Sequence, residues 1–230
     1  WNPGGVLQEA IALADLFLEE GVIVSTRGRA FAEEFARARR PNTLPDFPMV
    51  VMLNENSASA SEVLAGALVE NGRAIVLGTR SYGKGSVQTV QHLSTGQGAQ
   101  LRLTQQGYYL PTGRSIQRQD DSIQWGVDPS PGFFVPLTNE QVGELFQVRR
   151  DLEVIRAQND TAPEGDGPCE NWDNGDWVVE RLSDPQLEAA LRAVEGARLR
   201  IVFQNNGSHP HSMHFHGLFA ARMDGVPGAG

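Results

Sequence analysis

The chain has 230 residues, with 28 acidic against 19 basic side chains and a net charge of −9. That length supports one sizeable core and a small second unit, and the negative balance argues against nucleic acid as the main partner, because phosphate binding needs a basic surface. No apolar run approaches the length of a membrane span, and the single cysteine, Cys169, offers no internal disulfide.

In chain order, Trp1-Asn2-Pro3-Gly4-Gly5 reads as a tight turn in the middle of a domain, with no signal peptide before it. The spacing of Val6, Leu7, Ala10, Ile11, Leu13, Ala14, Phe17 and Leu18 predicts an amphipathic helix, and Gly21 supplies its stop signal. Val22 to Thr26 is a short buried strand. Phe31 to Arg40 is charged and reads as a surface excursion, and Pro41 to Pro48 as a loop into a strand over Met49–Leu53.

The central stretch follows. An apolar run stops at Asn54, a turn carries Ser57, Ser59 and Ser61, and helical spacing begins near Ala60. Asn71-Gly72 ends that helix, and Ala74–Thr79 is the next strand. Arg80 to Gly85 is a loop holding Gly83-Lys84-Gly85. Ser86–His92 and Gln100–Gln106 alternate as a hairpin or two neighbouring strands. Tyr108 to Arg114 is an aromatic strand end with a Pro/Gly turn, and Gln124 to Gly132 is loop.

Beyond it, Thr138–Arg156 reads as a helix capped by Thr138, Asn159–Asp176 as a flexible polar segment, and Asp184 onward as a last helix with an Asp cap and Pro185 in its first turn. Gly196 ends that helix. From Arg198 the character changes: Leu199 to Asn206 has a strand pattern, then His209, His211, His214 and His216 crowd together.

Rise per residue tests whether the serines and the lysine meet. A helix from Ala60 to Asn71 carries the chain roughly 18 Å away, and the strand Ala74–Thr79 brings it back by roughly 20 Å. In a strand–helix–strand unit with parallel strands, the loops after Leu53 and Thr79 share one sheet edge, the edge at which open α/β sheets bind ligands. The Asn2–Gly5 turn joins them there if it too follows a parallel strand. The chemistry suits a serine–lysine dyad: a hydroxyl needs a base to take its proton, and a lysine serves when burial holds its amine neutral. The Ala60 and Gly5 N–H groups are natural oxyanion donors. Ser59-Ala60-Ser61-Glu62 equally fits a capping box, so the motif alone leaves capping and catalysis open.

Four ordered motifs carry a resemblance. They are Asn2-Pro3-Gly4-Gly5, Asn56 to Glu62, Ser81 to Gln88, and Tyr108 to Gln117. Together they resemble the carboxyl-terminal processing peptidases, or tail-specific proteases, through about Gly132. The resemblance implies a serine endopeptidase on a crotonase-like/ClpP-like α/β core. It assigns Ser59 as nucleophile, Lys84 as general base, Gln88 as the residue that orients the lysine, and Gly5 and Ala60 as oxyanion donors, with Ser57 and Ser61 ranked below Ser59. It implies no cofactor for hydrolysis, protein substrates with apolar C-terminal tails, and a periplasmic or otherwise extracytoplasmic location.

That family carries a PDZ domain ahead of the Asn-Pro-Gly-Gly turn. The expectation is therefore a truncated peptidase core over 1–136, a helical part over 137–197 with an acidic insert, and a separate tail over 198–230. The tail resembles the first copper-ligand region of multicopper oxidases, where His214 and His216 would bind copper, although about 33 residues cannot build a cupredoxin sandwich. Rival readings are an inactive peptidase fragment and a copper-binding protein led by the histidines.

Overall fold

Two short apolar strands with one helix between them build the centre of the molecule. The computed structural model describes residues 1–94, 98–153 and 175–194. Helix α1 (Leu7–Asp15) comes first, followed by strands β1 (Val22–Gly28) and β2 (Phe31–Arg37). Next come β3 (Val50–Leu53), helix α2 (Ala60–Glu70) and β4 (Ile75–Gly78). A hairpin of β5 (Ser86–His92) and β6 (Gln100–Tyr109) completes this part.

Strands β3 and β4 pair in parallel, from Val50 opposite Ile75 to Leu53 opposite Gly78. The expected parallel strand–helix–strand unit is thus β3–α2–β4. A second sheet has the order β2-β1-β6-β5 and is antiparallel throughout. Together they make a mixed α/β fold.

The charged stretch after Gly28 is not a surface excursion: it is β2, paired back on β1 with Ser25 opposite Phe35. It is an edge strand, exposed or half-exposed along its whole length, so burial imposes no apolar/polar alternation on it.

Helix α2 explains why the unit holds together. Its run from Ala60 to Leu68 is apolar or small apart from Ser61 and Glu62, and every residue in it is buried. A helix apolar on all sides belongs inside. It packs on α1, β1 and β4, and Val63, Leu68, Ile23, Val24, Val76 and Leu110 form the core around it.

Residues 1–134 form one compact unit among the described residues, and the chain from Val135 contributes to another. The second unit holds α3 (Asn139–Glu153), α4 (Gly175–Leu182) and α5 (Pro185–Ala193). Thr138 starts α3 through a reciprocal pair: Gln141 N–H donates to Thr138 Oγ1 at 3.2 Å, and Thr138 N–H donates to Gln141 Oε1 at 2.8 Å. Asp184 caps α5, accepting from the N–H groups of Gln186 and Leu187, and Arg149 Nη2 donates to its other oxygen at 2.8 Å.

Helix α4 corrects the expectation of a flexible segment running to Asp176. Trp177 packs with Leu182 and Leu187, which fixes the segment's end as a helix. The rest of that segment, Cys169, Gly196, the strand pattern from Leu199 and all four tail histidines lie outside the described residues.

Gly78 closes β4 with φ of 121°, a backbone region that L side chains rarely adopt, and a Cβ there would collide with the Leu53 carbonyl oxygen of β3. Gly78→Ala should therefore lower stability by about 1–3 kcal/mol or more, read as a fall in urea midpoint with unchanged m-value.

Candidate active site

Three serines sit in the turn before α2, and their surroundings separate them. Ser57 is 2% exposed; its Oγ accepts from Asn54 N–H at 3.2 Å, and its carbonyl accepts from Tyr82 N–H at 2.9 Å. The Ser61 hydroxyl lies 2.7 Å from both the Asn2 and the Ala58 carbonyl oxygens, to either of which it donates. Both side chains are spent on holding loops together. Ser59 is half-buried and stands at the helix N-cap with φ 61° and ψ −122°. A non-glycine residue rarely takes a positive φ, and such strain persists only where the surroundings impose it.

The surroundings that impose it are visible. Ala58 N–H donates to the Asn2 carbonyl at 2.9 Å, and Gly4 N–H donates to Asn2 Oδ1 at 2.9 Å. Gly4 has φ of 91°, and a Cβ on it would lie 2.5 Å from Ala58 O, 2.8 Å from Ala60 N and 2.9 Å from Ser59 Cβ. Only glycine permits the Asn-Pro-Gly-Gly turn to lie flat against the Ser59–Ala60 peptide. Gly5 is exposed with nothing near its missing Cβ, and Ala60 N–H opens α2, where main-chain donors are unpaired.

The lysine loop is fastened to the same place by one carboxylate. Glu62 is fully buried. Its Oε2 accepts from Ser59 N–H at 2.7 Å and from Lys84 N–H at 2.8 Å. Its Oε1 accepts from Ser81 Oγ at 2.6 Å and from Gly83 N–H at 2.7 Å. Ser81 Oγ accepts in turn from Val127 N–H at 2.7 Å, which ties in the loop after Gly126. The main-chain nitrogens of Ser59 and Lys84 flank one oxygen atom, so they cannot be more than about 5.5 Å apart.

Glycines flank Lys84 for the same packing reason. A Cβ on Gly83, whose φ is 92°, would lie 2.6 Å from the Trp125 ring and 2.8 Å from Arg118 Cβ; one on Gly85 would lie 2.6 Å from Gln117 N. Trp125 is itself covered by the guanidinium groups of Arg80 and Arg118, at 4.3 and 4.8 Å from its ring centre.

The expected general base and the residue expected to orient it both lie at the surface. Lys84 is exposed, not buried. Gln88 lies on β5, also exposed, and its amide donates to Thr104 Oγ1 at 3.4 Å. Among the described residues no group of three or more His, Cys, Asp or Glu side chains could hold a metal, and His214 and His216 lie outside those residues. Burial pushes the phenol of Tyr108, near the end of β6, up from its ordinary value.

Local sequence pattern does not show what Glu62 and Asn2 do. It makes Glu62 the third residue of a capping box, and that arm of the box is present. The other three bonds reach 19 to 22 residues down the chain. A signal was there: Glu62 is the one charge in the apolar run from Ala60 to Leu68, and a buried charge needs partners.

Residues 1–130 match peptidase family S41, and residues 183–230 match multicopper oxidases. A carboxy-terminal-processing protease of Bartonella bacilliformis is 49% identical over 117 residues, 50% of this chain and 26% of that protein. The chloroplastic carboxyl-terminal-processing peptidase 3 of Arabidopsis thaliana is 37% identical over 163 residues, 70% of this chain and 28% of that protein. Among solved structures, the photosystem II D1 C-terminal processing protease superposes with a TM-score of 0.50 at 33% identity, over 59% of this chain and 32% of that one. The chain spans roughly a quarter of the length of these curated relatives, 26% and 28%.

Glu62→Gln puts a donor amide against main-chain donors at one of the two oxygens. It should cost about 3 kcal/mol or more, since each buried donor left unpaired costs about 1–3 kcal/mol. Urea denaturation checks this, and a loss below about 0.5 kcal/mol would show that the carboxylate does not hold the loops.

Proposed function

The chain belongs to peptidase family S41 through residues 1–130, and on that premise we propose that it carries the catalytic centre of a serine endopeptidase that cuts proteins near their C-terminal tails. Ser59 Oγ attacks the scissile carbonyl while Lys84 Nζ takes its proton and returns it to the leaving amine. Water then hydrolyses the acyl-enzyme, with the same lysine as base. The Gly5 and Ala60 N–H groups receive the oxyanion, and Gln88 orients Lys84.

The observation that carries this reading is the single Glu62 oxygen flanked by the backbones of Ser59 and Lys84. The commitment of Ser57 and Ser61 to loop contacts supports Ser59 over its neighbours. The close fit of Gly4 on the Ser59–Ala60 peptide supports the Asn-Pro-Gly-Gly turn as the second wall of the site. The reading asks for two movements: Lys84 turns from solvent toward Ser59, and Gln88 releases Thr104 to follow it. A lysine base gains from the desolvation that a bound substrate brings to the site. The similarity to processing proteases favours protein substrates, and a periplasmic or otherwise extracytoplasmic setting is part of this reading. Among the described residues no helix is long and apolar enough to cross a membrane.

A second reading concerns the tail alone and rests on the multicopper oxidase match over 183–230. Imidazole suits copper, so His214 and His216 would supply two of its ligands. Copper titration should then lose a binding event when both are changed to Ala, and unchanged binding overturns that assignment.

For the peptidase reading, Ser59→Ala should abolish cleavage of an unfolded protein with an apolar C-terminus, with a melting temperature unchanged or higher. Lys84→Ala should lower kcat at least about 10²-fold, the low end of general-base contributions. Full turnover in either variant overturns the dyad.

A further inference from the structure

Beside the lysine loop lies an open depression of about 490 Å³. Gly85 and Ser86, the two residues after Lys84, form one wall. Arg27 of β1, across β6 from Ser86, lines it too, with Tyr109 of β6 and Gln117. The depression joins the site through main-chain bonds on both sides of Lys84: Gly83 O accepts from Arg118 N–H at 2.8 Å, and Gly85 O accepts from Tyr108 N–H at 2.8 Å.

Gly107 keeps the depression open. It is the cross-strand partner of Arg27, and paired residues of antiparallel strands share a face. A side chain at 107 would stand beside the Gly85 carbonyl and the Tyr109 ring, 3.4 to 3.5 Å from each at its Cβ alone. With none there, the Arg27 guanidinium reaches across and stacks on Tyr109, 3.7 Å from the ring centre. Stacking fixes the plane of the guanidinium and leaves donors at its edge. The hydrogen bond with Tyr109 also holds Arg27 above its ordinary value, so the charge persists. Among the described lining residues Arg27 carries the only charge; the others are Gly, Ser, Thr, Gln and Tyr. Glu33 is close enough to influence Arg27 but is engaged by Ser25 Oγ at 2.9 Å.

We propose that this depression binds a carboxylate of the polypeptide being processed, with the Arg27 guanidinium as its partner and the surrounding amides and hydroxyls holding the adjoining peptide. The proposal rests on the peptidase reading for the identity of the ligand as a polypeptide. Its chemistry is that of a planar fork of donors on a polar floor, which matches a carboxylate bidentately. The carboxylate is the chain's own C-terminus or an acidic side chain near it.

The test uses the 230-residue chain with Ser59→Ala, so that peptides bind without turnover, and three fluorescent peptides of one sequence. One ends in a free carboxylate, one in an amide, and one in an amide with a glutamate near its end. At least one carboxylate peptide should bind about tenfold more tightly than the neutral one, the worth of one charge-assisted bond, and whichever gains identifies the source. Adding Arg27→Gln should remove that preference while the melting temperature stays put, since Arg27 is exposed. Equal binding of all three peptides, binding of none, or a preference that survives Arg27→Gln overturns the proposal. Cleavage by the chain with Ser59 intact is scored separately: its absence counts against the peptidase reading and leaves the binding comparison standing.

Discussion

The buried Glu62 carboxylate is the constraint on which the first unit depends. A charge taken out of water is costly unless hydrogen bonds replace its hydration, and here four donors do so, three of them main-chain N–H groups. One donor comes from the cap of α2; the other three, the Ser81 hydroxyl and the peptide links on either side of Gly83, come from the loop after β4. Because a carboxylate has two oxygens at fixed separation, satisfying it fixes the distance between α2 and that loop as well. The same atoms that stabilise the fold therefore set the spacing of the proposed nucleophile and base.

Around that centre, polar side chains divide into those that hold loops and those left available. Ser57, Ser61, Ser81 and Asn2 are consumed in fastening the turn, the helix start and the loop after Gly126. Ser59 is held by its backbone in a strained conformation. Arg80, Trp125 and Arg118 stack over Gly83 as a lid of ring and guanidinium planes. Lys84 projects from this rigid frame as a flexible stem, which is why its main chain is so well placed while its ammonium stays in water.

Much of this was legible from local pattern. The apolar run to Leu53, the small-residue turn and the helix from Ala60 announce themselves by period, and parallel pairing of β3 with β4 follows from the helix between them. The glycines near Ser59 and Lys84 showed where backbones approach closely. Long-range pairing was not legible in the same way. Nothing local in Phe31–Arg37 says that it folds back on β1, because an edge strand has no buried face to impose a pattern. Helix α4 hid behind a polar stretch, since only the fold brings the partly buried Trp177 against Leu182 and Leu187. Glu62 was read as a local cap because a capping box explains it with three residues, whereas its other partners are brought in by β4.

The spread of these contacts along the chain also bears on the order in which the centre assembles. Glu62 meets Ser81, Gly83 and Lys84 at separations of 19, 21 and 22 residues, within one strand–helix–strand unit. Ser61 meets Asn2 at a separation of 59. By loop-closure entropy the longer contact costs about 0.9 kcal/mol more to close, and it gains nothing until the turn it docks on exists. The loops of Ser59 and Lys84 are thus joined at the lower entropic cost and the Asn-Pro-Gly-Gly turn at the higher.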